Sequence, residues 1–237
     1  MSVKLKSYIK DKAPFLPILK YKVLNYKSNI EKLKLRVKTK EKIFNYIFHK
    51  NTWGDRNSVS GPGSNIEQTK VIRNILPIFI EDLRCSSKLD IPCRDYYWMK
   101  MVLLNVNYIW ADIVTDLVKK NQADYGNDKC KFVYLDIINN NLLAVDLILC
   151  RDCFVHFSNK DILKSITNIK NSKSVYLLTT TFVNTKKDKN IPTEAWHGIN
   201  LEQPPLNFPA PTKLFNEECS NMKYKDKSLR LWKIENL

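Results

Sequence analysis

Leu89-Asp90-Ile91-Pro92-Cys93-Arg94-Asp95-Tyr96-Tyr97-Trp98-Met99 is the stretch on which the fold turns. A short apolar approach ends in an acid, a tight turn follows, and an aromatic run opens what reads as a helix over 96–105. That order is the layout of a strand–loop–helix that binds a nucleotide or an adenosyl group, because the chain leaves the carboxyl end of a strand beside the ligand. One position departs from the layout. Such a loop carries glycine where this chain has Arg94.

Downstream, strand and helix patterns alternate. Strands are expected to end at Asp90, Asp112, Asp136 and Cys150, with another over 174–180, and helices over 113–123 and 159–170 lie between them. Alternating β and α segments argue an α/β fold, a mostly parallel sheet with helices on both faces. Two strand-like pieces near the end, 213–217 and 228–234, have no helical stretch between them and are expected to form an antiparallel hairpin at one edge. Upstream, Ser58-Val59-Ser60-Gly61-Pro62-Gly63-Ser64 is a turn-rich loop. It leads into a helix capped by Ser64 or Asn65 and running to about Arg84, with Pro77 inside it.

In an open parallel sheet, ligands bind beyond the carboxyl ends of the strands. Here those ends carry acids, Asp112 lying 22 residues after Asp90 and Asp136 another 24 on. An acid after the second strand can accept from both ribose hydroxyls, and one after the third from an adenine amino group. Asp-Ile-Pro-Cys-Arg-Asp holds no glycine, so the Gly-x-Gly-x-x-Gly cradle of a dinucleotide is missing, and there is no Gly-x-x-x-x-Gly-Lys phosphate loop. An adenosyl cofactor without phosphates, S-adenosyl-L-methionine, fits better.

These residues resemble class I S-adenosylmethionine-dependent methyltransferases. More narrowly, they resemble a group of bacterial and viral members with the pattern Trp-Gly, Ser-Val-Ser-Gly-x-Gly-Ser, Leu-Pro, Asp-x-Pro-Cys-Gly-Asp-Phe-x-Trp-Met, Gly-x-Asp-Ile-Val, a later Asp, and Arg-Asp-x-x-x-His-Leu. Here the elements read Trp53-Gly54, Ser58–Ser64, Leu76-Pro77, Asp90–Met99, Ala111-Asp112-Ile113-Val114, Asp136 and Arg151–Phe157. The resemblance implies a Rossmann-like fold with a seven-stranded sheet and transfer of a methyl group to an oxygen or nitrogen acceptor. It places Asp90, Pro92, Cys93, Arg94 and Asp95, with Trp98, beneath the methionine part of the cofactor. Asp112 and Ile113 would hold the ribose, and Asp136 and Ile137 would face the adenine. Cys150, Arg151 and Asp152 would line the cofactor and acceptor side, Ser60, Gly61 and Gly63 would close over it, and Trp196 and Asn200 would meet the acceptor. His156 and Asp152 are the catalytic candidates. His156 reads either as a general base or as a packed histidine at a helix entry, and Asp152 either as a catalytic group or as an ion-pair partner of Arg151. Methyl transfer also proceeds by in-line positioning alone.

Composition sets the outer limits. The chain has 237 residues and a net charge of +15. Residues 1–50 hold fourteen Lys/Arg against three acids, so the basic charge is concentrated in an N-terminal extension, 1–42, before a methyltransferase-like domain, 43–237. Lysine outnumbers arginine 32 to 7, which suits a solvated arm better than bidentate phosphate contacts. A small-molecule or glycan acceptor is the default. Two other readings stay open: a methyltransferase-like binding module impaired by Arg94, and a nucleic-acid methyltransferase gripping phosphates through residues 1–42. The cysteines and histidines show no metal-ligand spacing, so no metal is expected. No run approaches the roughly 18 apolar residues of a membrane span, and no apolar core follows the first lysines, so the expected location is cytoplasmic.

Overall fold

The computed structural model describes residues 39–237, so the basic extension lies almost entirely outside the described residues. Phe44–Leu237 forms one compact unit. Among the described residues four α-helices, α1 (Lys40–His49), α2 (Lys70–Asp82), α3 (Thr115–Tyr125) and α4 (Asn159–Asn171), accompany seven strands. The strands are β1 (Ser87–Asp90), β2 (Asn107–Asp112), β3 (Cys130–Tyr134), β4 (Leu147–Cys150), β5 (Tyr176–Phe182), β6 (Lys213–Asn216) and β7 (Lys227–Lys233). They form one sheet in the order β3-β2-β1-β4-β5-β7-β6. β1 to β5 run parallel, and β7 lies antiparallel between β5 and β6. The expected C-terminal hairpin is therefore present, with its second strand on the inside.

The strand order turns back on itself at β1, which pairs with β2 on one side and β4 on the other. Connections leave that point in opposite directions and open a crevice at the carboxyl ends. Leu147-Ile148-Leu149-Cys150 is buried throughout, as a central strand covered on both faces must be. Leu147, Leu149, Leu178, Leu229 and Leu231 join Ile72, Leu76, Phe79 and Ile80 of α2 in one core. Their alternates Ile148, Leu177 and Trp232, which point to the other face, are buried too. Ser158 caps α4 by accepting from the Asp161 N–H at 3.3 Å.

Two expectations need correction. Asn65 does cap a turn, accepting from the Gln68 N–H at 2.9 Å, but α2 begins only at Lys70. The Thr69 hydroxyl donates back to the Asn65 carbonyl at 2.8 Å, which closes the intervening residues into separate turns. The helix expected over 96–105 is absent, and only a short 3-10 turn, Met99–Met101, stands there. Arg94 and Tyr96 take left-handed backbone, each with φ near +57°, which prevents a helix from starting. Tertiary packing holds this path: the Tyr96 ring sits against Trp110, Tyr125 and Phe132, and Trp98 and Met99 are buried. Among the described residues no helix is long and apolar enough to cross a membrane.

Candidate active site at the carboxyl ends of the central strands

Two cavities open along this edge of the sheet. The first is a narrow slot, with about 50 Å³ open to the centre of a water molecule. Its walls include Ile113, Leu135 and Ile137, and the carboxylates of Asp112 and Asp136 lie in it. The second is a wider basin of about 320 Å³, bounded by Asp90, the Gly61–Ser64 turn, Arg151, Asp152 and the aromatic rings of Trp196 and Tyr224. Five residues face both: Trp53, Ser60, Pro92, Arg94 and His156.

The slot is built by strand ends. Asp112 closes β2, where its Oδ1 accepts from the Val114 N–H and its Oδ2 from the Arg94 N–H, each at 3.0 Å. Burial pushes its carboxyl up, against the pull of Arg94. Asp136 follows β3 and accepts from the Ile138 N–H at 2.8 Å and from the Asn139 amide at 2.6 Å. Asp112 also accepts from the Ile113 N–H, so with four lone pairs on its two oxygens it keeps one free, and Asp136, with one donor on each oxygen, keeps two. A ribose diol or an amino group needs such free acceptors. Asp90, at the end of β1, is committed differently. Its carboxylate faces Lys88 Nζ at 3.3 Å, and that ammonium lies fully buried over the Trp110 ring, 4.3 Å from its centroid. Burial pushes Asp90 up and Lys88 down, and their mutual attraction opposes both shifts.

Arg94, which stands where the resembling motif has glycine, takes left-handed backbone. Its amide is held by Asp112, and its carbonyl accepts from the Asn121 amide at 2.7 Å. The side chain crosses towards the end of β4, where Nη2 donates to the Asp152 carbonyl at 3.0 Å. The guanidinium lies over the Trp53 ring, 4.4 Å from its centroid. That ring also stacks on His156, with centroids 4.9 Å apart. Gly61, with φ +89°, admits Trp53 because a Cβ there would stand 3.0 Å from the Trp53 Cβ.

His156 Nδ1 lies 3.0 Å from the Ala195 carbonyl, and since a carbonyl only accepts, Nδ1 carries the proton and Nε2 the lone pair. Burial first, and the Arg94 guanidinium second, bring its pKa down from 6.5 to about 4. Asp152 is held by charge. Lys227 Nζ approaches Oδ2 at 2.7 Å and Arg151 Nη1 at 3.1 Å. Burial alone would raise this carboxyl, but Lys227 and then Arg151 outweigh it and hold it well below the usual carboxylate range. Arg151 continues the network to Glu217 Oε2 at 2.5 Å and to the Gly63 carbonyl at 2.9 Å. Gly63 approaches so closely that a Cβ on it would meet Asp152 Oδ2 at 3.0 Å.

The slot therefore gathers Asp112, Ile113, Asp136 and Ile137, and the basin Asp90, Cys93, Trp98, Arg151, Asp152, Gly61, Gly63 and Trp196, with Ser60, Pro92, Arg94 and His156 common to both. Three expected residues line neither cavity. Asp95 accepts from Ser58 Oγ, Ser60 Oγ and the Val59 N–H at 2.8–3.0 Å and so pins the serine loop. Cys150 is wholly buried in β4. Asn200 is buried, donating to the Val183 and Thr185 carbonyls and accepting from the Glu202 N–H, which makes it a brace of its own loop. Sequence reasoning missed Trp53 as a lining residue, although Trp53-Gly54 stood in the quoted motif. It also missed Glu217 and Lys227, for which the sequence carries no local signal.

The strand order, the reversal at β1 and the antiparallel last pair together are the class I methyltransferase fold. Solved structures agree. N-methyltransferase NodS from Bradyrhizobium japonicum WM9 with S-adenosyl-l-homocysteine superposes with a TM-score of 0.57, at 9% identity over 79% of this chain and 97% of that one. Burkholderia thailandensis 1,6-didemethyltoxoflavin-N1-methyltransferase, with its acceptor and S-adenosylhomocysteine bound, gives 0.56 at 12% identity over 81% and 86%. Mitomycin 7-O-methyltransferase MmcR gives 0.52 at 10% identity over 71% of this chain, which spans only 54% of that longer protein. In sequence the chain matches no family model and no curated protein.

Proposed function

We propose that the protein is an S-adenosylmethionine-dependent methyltransferase acting on an oxygen or nitrogen of a small-molecule or glycan acceptor. The observation that carries the reading is the pair of buried carboxylates, Asp112 and Asp136, at adjacent strand ends, each with unused acceptor capacity between apolar walls. Those residues fit an adenosine: Asp112 for the ribose hydroxyls, Asp136 for the amino group, Ile113 and Ile137 for the faces of the base. The fold shared with S-adenosylhomocysteine-bound N-methyltransferases supports the same ligand. When bound, S-adenosylmethionine supplies an electrophilic methyl group.

The chain's own residues then have three tasks. Asp112 and Asp136 orient the nucleoside. Trp196, with Tyr224 and Phe182 packed edge-on beside it, offers an aromatic wall for the acceptor in the basin. His156, neutral near pH 7, presents Nε2 to the acceptor's O–H or N–H. The burial that keeps it neutral also makes it a weak base, so it orients the acceptor more than it removes a proton. Asp152, tied to Lys227 and Arg151, stays ionised and holds the basin wall.

Calorimetry on the purified full chain tests this. S-adenosylhomocysteine is expected to bind, and Asp112→Ala to weaken it by about tenfold or more through the lost ribose hydrogen bonds. Absence of binding to the wild type up to millimolar ligand removes the proposal.

A further inference from the structure

Trp53, Ser60, Pro92, Arg94 and His156 line both the slot and the basin, and among them Arg94 carries the charged side chain that reaches from one towards the other. Its backbone is fixed on the slot side by Asp112 and Asn121, and its guanidinium reaches the basin side at the Asp152 carbonyl. Trp53 covers the guanidinium, and His156 backs Trp53. Both cavities end on this stack. A ligand consisting of a nucleoside alone needs only the slot. A ligand whose nucleoside carries an amino-acid tail must run from the slot into the basin, along the path the arginine now takes.

We infer that Arg94 is a specificity-determining residue that divides the donor site into a nucleoside compartment and a tail compartment. The nucleoside half of a ligand binds without disturbing it, whereas the tail binds only after the guanidinium leaves the Asp152 carbonyl and the Trp53 ring. The displaced interactions, one charge-assisted hydrogen bond and one cation–π contact, are subtracted from the affinity of every tailed ligand and from no untailed one. This rests on the adenosyl reading of the slot. A glycine at position 94 would leave the compartments joined, so the departure from the glycine-bearing loop acts on ligand choice.

The experiment compares adenosine, 5′-methylthioadenosine and S-adenosylhomocysteine by calorimetry on the full chain, in wild type, Arg94→Gly and Arg94→Ala. Alanine keeps a Cβ in the left-handed position, so it removes the side chain without relieving the backbone. The two untailed nucleosides are expected to bind all three proteins within twofold. S-adenosylhomocysteine is expected to tighten by about tenfold or more in both variants, in line with the contacts released. Unchanged S-adenosylhomocysteine affinity with intact nucleoside binding overturns the partition alone. Weaker binding in Arg94→Ala, the result if the guanidinium holds the ligand's carboxylate, overturns it as well. If no nucleoside and no S-adenosylhomocysteine binds any of the three, the adenosyl reading falls and the partition with it. Should the variants fail to fold, the wild type still decides: 5′-methylthioadenosine is expected to bind at least as tightly as S-adenosylhomocysteine, and a tenfold preference for the tailed ligand refutes the inference.

Discussion

Glu217→Ala removes the anion at the centre of the basin's charge network, and its effect follows from the geometry. Glu217 is 1% exposed, Arg151 4% and Lys227 6%. Its Oε2 receives Arg151 Nη2 at 2.5 Å and Nε at 3.1 Å, and Lys227 Nζ stands 3.3 Å away. Without it two buried cations share one carboxylate, Asp152, whose side chain is 22% exposed and already bonded to both. Breaking a buried pair from one side costs about 3–5 kcal/mol, because the remaining charge stays desolvated. For a unit of this size that corresponds to a melting temperature lower by roughly 6–20 °C. Glu217→Gln separates charge from volume. The charge is lost here as well, and Oε1 has no hydrogen-bond partner, so the new amide group would be buried without an acceptor; a loss of about 3 kcal/mol or more is expected. Urea denaturation followed by tryptophan fluorescence gives both values, with an unchanged denaturant slope showing that only stability moved. A loss below about 1 kcal/mol for Glu217→Ala would refute the reasoning, since it would mean that Arg151 and Lys227 regain water once the carboxylate is gone.

The pH dependence carries a sign. His156 titrates near 4 in the folded protein against 6.5 for the free side chain, so the unfolded chain binds more protons between those values. Its contribution is complete above pH 6.5 and is lost as pH falls through 4, up to about 3 kcal/mol in all. Urea titrations at pH 7 and pH 4.5 should show that loss and a shallower one in His156→Asn; equal slopes would exclude His156 as the source. Asp95→Ala releases Ser58, Val59 and Ser60, so amide exchange at Val59 is expected to quicken by about tenfold or more, as a hydrogen bond of about 1.5 kcal/mol is lost. Unaltered protection there would mean that the serine loop is held elsewhere. Asn200→Ala is expected to cost about 1–3 kcal/mol through its three lost bonds while leaving S-adenosylhomocysteine affinity within twofold. A tenfold loss of affinity at full stability would return Asn200 to the binding site.

What the sequence made legible was local or periodic. Leu147-Ile148-Leu149-Cys150 reads as a buried strand because four apolar residues in a row have no solvent face to offer. Asp90, Asp112 and Asp136 read as a series because each follows such a run at similar spacing. The helix over 159–170 reads from the spacing of its own neighbouring residues, and α4 stands there. The helix expected after Asp95 failed for the opposite reason. Tyr96 and Trp98 look like the apolar face of a helix, but each packs against residues far along the chain, and that packing outweighs propensity. Of the charge network only the adjacent Arg151–Asp152 pair was legible, since Glu217 lies 66 residues from Arg151 and Lys227 lies 75 from Asp152.

Arg94 shows the limit most clearly. Arginine stands where the resembling motif has glycine, and a left-handed backbone costs an L-residue roughly 1–2 kcal/mol. Three hydrogen bonds, Arg94 N–H to Asp112, the Asn121 amide to the Arg94 carbonyl, and Nη2 to the Asp152 carbonyl, are available to offset it. At about 1 kcal/mol or more each, they suffice. The left-handed path is thereby held in place at the ends of β1, β2 and β4. Two of these bonds belong to the backbone and are open to any residue but proline at position 94. The third, with the Trp53 contact, belongs to the side chain alone, and it lies where the slot meets the basin. The consequence of the substitution is thereby moved out of folding and into what the site admits.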